Sequence, residues 1–155
     1  MNAVLIGLTG AQALATQIAH QLNRSLARVV LQRFSDGELL VKVKPSLRGQ
    51  NVYLIQSTAP PVNERVMELL IAVQAIKLAS AEKVNVILTY YGYARQDRKS
   101  KQHEPITSKL IANLLVTAGA DRVLLVDIHS PMTLGYFNIP VDSVRLFPLF
   151  LPADY

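Results

Sequence analysis

Apolar residues along this chain follow two rhythms. Short continuous runs occupy residues 3–8 (AVLIGL), 51–57 (NVYLIQS), 83–89 (KVNVILT) and 122–129 (RVLLVDIH). Their length and β-branched content predict buried strands. Between them, apolar residues recur every three or four positions, the repeat of one helix face. Leu14, Ile18 and Leu22, with Ala15 and Ala19 beside them, predict a first helix that stops at Asn23. Val66, Leu69, Leu70, Val73 and Ile76 predict a long second helix entered through Pro60-Pro61. Ile106, Leu110, Ile111, Leu114 and Leu115 predict a third, with Gly119 as its stop.

Two further runs, 27–34 (ARVVLQRF) and 38–45 (ELLVKVKP), are separated only by Ser35-Asp36-Gly37. In the second, Leu39, Val41 and Val43 alternate with Lys42 and Lys44, as in a half-exposed strand. This pair predicts an antiparallel hairpin. The rest, strand alternating with helix, predicts an α/β fold: a mainly parallel sheet with helices on both faces. In such sheets ligands bind beyond the carboxyl ends of the strands. Two polar segments fall there: residues 90–109 (YYGYARQDRKSKQHEPITSK) and 127–130 (DIHS).

Composition narrows the classes. At 155 residues the chain has the size of one domain with a substantial core. It has no cysteine, which excludes disulfides and thiolate metal sites. Its first residues lack a cleavable signal pattern and no apolar run reaches membrane-spanning length, so the reading is a soluble cytoplasmic protein with no membrane partner. A net charge of +5 favours anionic partners, with nucleic acid, nucleotides and sugar phosphates all open at this level. The final FPLFLPADY reads as the approach to more protein rather than a domain end.

Three clusters carry candidate chemistry. In the loop after residue 89, Arg95, Arg98, Lys99 and Lys101 crowd together, with Lys109 beyond. Arginine forks and lysine point charges suit phosphate oxygens, Gln96 can hydrogen-bond in both senses, and Tyr90, Tyr91 and Tyr93 can stack or sit in the core. A solvated basic loop is the bland alternative. Asp127 and His129, two apart in an extended segment, would face one side. A carboxylate there suits Mg²⁺, while a capped turn explains the pair equally well. Phe34, Asp36, Gly37 and Glu38 form a tight turn whose ring and carboxylates could also meet a base. No glycine-rich phosphate loop or nucleophile elbow is present.

Taken together, RFSDGE, RGQNVYLIQST, PVNERVMELLI, YGYARQDRK, EPITSKLIANLLVTAGADRVLLVDIHS and GYFNIPVD resemble, in order, the ribose-phosphate diphosphokinases, or phosphoribosyl pyrophosphate synthetases. The resemblance implies a phosphoribosyltransferase-like domain and transfer of diphosphate from Mg-ATP to ribose 5-phosphate, giving phosphoribosyl pyrophosphate and AMP. It implies that Arg95 and Gln96 bind ATP. Phe34, Asp36 and Glu38, with Gly37 in the same loop, would reach the adenine of an ATP held mainly by a neighbouring subunit. His129 would bind Mg²⁺, with Asp127 and Asp142 as further acidic positions of the metal region. It also implies homo-oligomers, hexamers built from dimers. Departures are Pro131-Met132-Thr133 where the family usually has a glutamine, Asn138 where many members carry Asp, and Thr89 for a common proline.

Family members are about twice this size. Residues 1–155 therefore read as a single N-terminal ATP-binding domain, and the ribose 5-phosphate-binding domain with its catalytic loop is absent. No catalytic residue is expected in this chain, and turnover by it alone is not expected. The alternative is a non-catalytic regulatory or assembly subunit of such a synthetase. A basic nucleic-acid binder ranks last, since it leaves Asp127, His129 and the FSDGE turn without a role.

Overall fold

A computed structural model describes residues 3–44 and 46–150. Pro45, the end of the second hairpin run, and residues 151–155 of the terminal apolar segment lie outside the described residues. Five strands form one sheet: β1 (Ala3–Gly7), β4 (Asn51–Ser57), β5 (Lys83–Tyr90), β6 (Arg122–Val126) and β7 (Val141–Val144), in that spatial order. Every neighbouring pair is parallel. β2 (Val29–Arg33) and β3 (Leu39–Val43) form the expected antiparallel hairpin, separate from the main sheet.

Alternation along each strand divides the core. Val52, Leu54, Val84, Val86, Leu88, Val123 and Leu125 face α2 (Val62–Leu78) and α3 (Thr107–Ala118) on one side. Ile55 and Ile87 face α1 (Gln12–Gln21) on the other. Each fully buried Leu or Ile contributes roughly 1.5–3 kcal/mol of transfer free energy, which holds the helices to the sheet. α3 ends at Gly119, whose left-handed φ of 114° is the conformation expected of a glycine stop.

The first helix buries a different stripe from the one its leucines suggest. Leu14 and Leu22 are 41% and 56% exposed, while Ala15 and Ala19 are buried. The cause is close approach to β1: a Cβ on Gly7 would stand 2.6 Å from that of Ala15. Only small side chains fit there. α3 likewise buries Ile111 and Leu115 but leaves Leu110 half-exposed and Leu114 about one-third exposed. β7 was not expected from the pattern; it is four residues long and interrupted by Asp142. β6 stops at Val126, where the run turns polar, so the 127–130 segment follows it as expected. Among the described residues, no helix is long and apolar enough to cross a membrane.

Candidate functional site

The loop after β5 is fixed at its root. The Thr58 backbone N–H and hydroxyl both donate to the Tyr90 carbonyl, at 3.1 and 2.8 Å. The same hydroxyl accepts from Gly92 N at 2.7 Å. Gly92 is required by space: a Cβ there would lie 2.9 Å from Val62 and 3.0 Å from the Thr58 carbonyl. Tyr91 is buried and donates to the Ser108 carbonyl at 2.7 Å. Burial pushes its phenol well above the ordinary tyrosine range, and hydrogen bonding around Ser108 and Ala112 only partly opposes this.

The middle of the loop is tied to its surroundings by Gln96 and Asp97. Gln96 N donates to Tyr93 O at 2.9 Å, and Gln96 O accepts from Ser108 N at 3.1 Å. The Thr107 hydroxyl donates to Gln96 Oε1 at 2.6 Å, so the end of Gln96 that remains to meet a ligand is its amide donor group. The Tyr136 hydroxyl donates to the carbonyl of Asp97, itself a buried residue. Further out, Glu104 Oε2 accepts from Ser100 N and Lys101 N at 2.9 Å each, shaping the cationic tip.

Arg95, on this loop, shares a cleft of about 390 Å³ with Tyr90, Tyr91, Ala94, Asp127, Ile128 and His129. The cleft lies beyond the carboxyl ends of β5 and β6, where an α/β sheet places ligands. Asp127 and His129 reach it by a route other than extended alternation. Asp127 has a left-handed φ of 46°, its N–H donates to Val144 O at 2.9 Å, and its Oδ1 accepts from Leu146 N at 3.0 Å. One carboxylate oxygen thus ties the end of β6 to the segment after β7 rather than capping a local turn, while both residues still line the cleft. Among the described residues no group of three His, Cys, Asp or Glu side chains is placed to hold a metal.

Asp142 is not brought to this cleft. It stands on β7 opposite Leu124, and Arg122 holds its carboxylate through Nη2 at 2.6 Å and Nε at 2.7 Å. The strand rise of about 3.3 Å per residue leaves it roughly 10 Å short of the level of Asp127.

Phe34, Asp36, Gly37 and Glu38 form the hairpin turn. Phe34 N donates to Glu38 O at 2.9 Å, Gly37 N to Phe34 O at 3.0 Å, and Glu38 N to Asp36 Oδ1 at 3.0 Å. Gly37 takes a φ of 96°, which favours glycine. Phe34 is 43% exposed. Gly37 and Glu38 line a separate cleft of about 540 Å³ with Arg33, Asn63, Glu64 and Met67, which shares no lining residue with the Arg95 cleft.

A polar lock at the carboxyl ends of β1 and β4 was missed from the sequence. Gln56 is fully buried, and its Oε1 accepts from Gly10 N at 2.9 Å and Ser57 N at 3.1 Å. Glu68, buried on α2, accepts from Thr9 N at 2.9 Å and Thr9 Oγ1 at 2.6 Å. The one available signal was a glutamine at the end of an apolar strand and a glutamate at a core-facing helical position.

The fold and cleft define a phosphoribosyltransferase-type α/β domain. The crystal structure of phosphoribosylpyrophosphate synthetase from Mycobacterium smegmatis superposes with a TM-score of 0.93 at 39% identity, covering 96% of this chain and 50% of that one. The family model for the N-terminal domain of ribose phosphate pyrophosphokinase matches residues 3–119. The chain belongs to the ribose-phosphate pyrophosphokinase family. It is 49% identical over 154 residues to the ribose-phosphate pyrophosphokinase of Corynebacterium ammoniagenes, covering 99% of this chain and 48% of the relative. The enzyme of the same name from Fusobacterium nucleatum is 53% identical over 136 residues, 88% of this chain and 43% of the relative. The chain therefore spans about half the length of the curated relatives it matches.

Proposed function

We propose that this chain supplies the ATP-binding half of a ribose-phosphate pyrophosphokinase, which moves diphosphate from ATP to the 1-hydroxyl of ribose 5-phosphate and releases AMP. The observation that carries the reading is the meeting of Arg95, Asp127 and His129 in one cleft at the sheet's carboxyl ends. Transfer of this kind depends on positioning and on neutralising phosphate charge more than on a protein nucleophile. Arg95 offers a planar fork to phosphate oxygens, and the Gln96 amide offers neutral donors beside it. The hydrogen bonds from Thr107, Ser108 and Tyr136 hold that loop in one shape before ligand arrives, which lowers the ordering cost of binding.

The donor set fits Mg²⁺. This ion takes one or two carboxylates, keeps several waters and draws further ligands from substrate phosphates. Asp127, through the oxygen not used by Leu146 N, would be its carboxylate, with His129 beside it as ligand or as hydrogen-bond partner of a bound water. When bound, the ion neutralises phosphate charge. Asp142, held by Arg122 away from the cleft, has no part in this reading. The ribose 5-phosphate cradle belongs to the other half of the relatives' length.

Calorimetric titration with Mg-ATP, followed by a coupled AMP-release assay with ribose 5-phosphate, tests the proposal. Binding without turnover by this chain alone is the expected result. No binding, or binding unchanged by Arg95→Ala, would remove the cleft from the nucleotide site.

A second reading, an assembly subunit of a homo-oligomer, is favoured by the hairpin. Its nucleotide-suited residues stand apart from the chain's own cleft, where a neighbouring copy could use them. Co-elution with a full-length relative in size-exclusion chromatography would support it; separate elution at micromolar concentrations would count against it.

A further inference from the structure

Gln96 is held at two points by the first turn of α3. Its backbone carbonyl accepts from Ser108 N at 3.1 Å, and its side-chain Oε1 accepts from the Thr107 hydroxyl at 2.6 Å. Both of its carbonyl oxygens therefore face the start of that helix. The backbone amides of a helix's first turn carry a partial positive charge. Such a field favours an amide oxygen over an NH₂ group, so it selects the same orientation of Gln96 as the Thr107 hydroxyl does. The side chain is exposed, and among the described residues nothing accepts from its Nε2.

The Thr107 hydroxyl is placed for this one contact. α3 is entered through Ile106, whose side chain cannot cap the helix, and Thr107 is already the first helical residue. Among the described residues its hydroxyl makes a single hydrogen bond, to Gln96. The next hydroxyl, on Ser108, is buried and has no partner, so it cannot replace Thr107 in holding the loop. An unheld glutamine amide can turn over and present its oxygen where its NH₂ was. Beside Arg95 the difference matters. An oxygen would set its lone pairs against those of a phosphate, whereas two N–H groups donate to them.

We propose that Thr107 is a positioning residue for the nucleotide cleft, a role that rests on the Arg95 cleft being the ATP site. Its hydroxyl holds Gln96 with the amide donors outward, so that this part of the loop meets only acceptor atoms of the nucleotide.

The test is calorimetric titration with Mg-ATP on Thr107→Val, Thr107→Ser, Gln96→Ala and the Thr107→Val, Gln96→Ala double variant. Valine keeps the shape of threonine without its hydroxyl. It should weaken binding by about three- to tenfold, the cost of ordering one rotamer-rich side chain at the moment of binding. Serine restores the hydroxyl and should bind within about twofold of wild type. In the Gln96→Ala background, Thr107→Val should add less than about twofold, because no amide is left to hold. A role in helix stability alone would give the same loss in both backgrounds. NMR of the Gln96 side-chain amide supplies a reading without ligand. Thr107→Val should move that signal toward the position of freely solvated glutamines, and Thr107→Ser should leave it near wild type. Thr107→Ala takes the place of the valine variant, with the same expectations, should that variant fail to fold.

Three results would overturn the proposal: a serine variant as weak as the valine variant, an amide signal indifferent to Thr107→Val, or a further loss of about threefold or more in the double variant relative to Gln96→Ala. Mg-ATP binding that Arg95→Ala weakens and Thr107→Val does not would overturn it too, while leaving the nucleotide cleft in place. Absence of Mg-ATP binding by the wild-type chain would remove the cleft's nucleotide role, and the role of Thr107 with it.

Discussion

Arg95 and Asp36 both sit on exposed turns rich in groups that suit a nucleotide, yet the two turns are built differently. The Arg95 loop is tied to β4 through Thr58, to α3 through Thr107 and Ser108, and to the turn at 131–136 through Tyr136. The Asp36 turn closes mainly on itself, through bonds among Phe34, Asp36, Gly37 and Glu38. Its outside ties run through Arg33, which pairs with Glu64 at 2.6 Å across an exposed surface. A site that must bind on its own needs the first kind of support. The second kind suits a surface that is completed by something else.

The largest expected effect separates the two in binding. Arg95→Ala should weaken Mg-ATP binding by about 1.5–3 kcal/mol, the scale of a charge-assisted hydrogen bond, with little loss of stability. Phe34→Ala in the same isolated chain should change affinity by less than about 0.5 kcal/mol, because that ring lines no part of the cleft. Calorimetry on the two variants reads both. Comparable losses would erase the distinction between the turns.

Glycine substitutions test the same contrast in stability. Gly92→Ala places a methyl group against Val62 and the Thr58 carbonyl and should cost about 1–3 kcal/mol in denaturant unfolding. Gly37→Ala meets nothing within 4 Å, so its only penalty is the left-handed backbone, roughly 1–2 kcal/mol. A larger loss at Gly37 than at Gly92 would mean that the hairpin turn is the more constrained of the two.

What the chain disclosed in advance follows the same division. The parallel sheet, its helices and the hairpin were legible because strand and helix periods are local. The meeting of Arg95 with Asp127 and His129 was legible because the loops after successive parallel strands open at one end of a sheet. On α1 the alanines of the expected face are buried and its leucines are not, because hydrophobicity ranks Leu14 above Ala15 whereas the close approach at Gly7 selects for size. Asp142 was drawn toward the cleft by family pattern. Only the register of β7 against β6 shows that it pairs with Arg122 instead. The Gln56 and Glu68 lock depends on contacts 46 and 59 residues apart, which no local pattern encodes.

Tyr91 extends the contrast to pH. Its folded phenol ionises above the unfolded value of about 10, so unfolding releases a proton only above that pH. Below it the residue adds no pH dependence. Above it the unfolded state binds fewer protons, and stability falls by up to about 1.4 kcal/mol per pH unit until the folded phenol also ionises. Tyr91→Phe should flatten that alkaline decline while losing the bond to Ser108 at neutral pH. Urea unfolding between pH 9 and 11 measures it. An equally steep decline in the variant would place the alkaline sensitivity elsewhere.

The smallest effect bears on what Asp36 is for. Its Oδ1 accepts from Glu38 N at 3.0 Å, a bond an asparagine oxygen can also make. If the residue serves only the turn, Asp36→Ala should cost about 0.5–1 kcal/mol and Asp36→Asn close to nothing. If the carboxylate also serves a nucleotide on a neighbouring copy, Asp36→Asn should leave the isolated chain's stability intact. It should then lower nucleotide binding only in the assembled form, at protein concentrations where copies associate. Comparing the two variants by thermal unfolding and by ATP titration across a dilution series separates the roles. A loss with Asp36→Asn that does not depend on concentration would show the hairpin acting within its own chain, and the contrast between the two turns would fail.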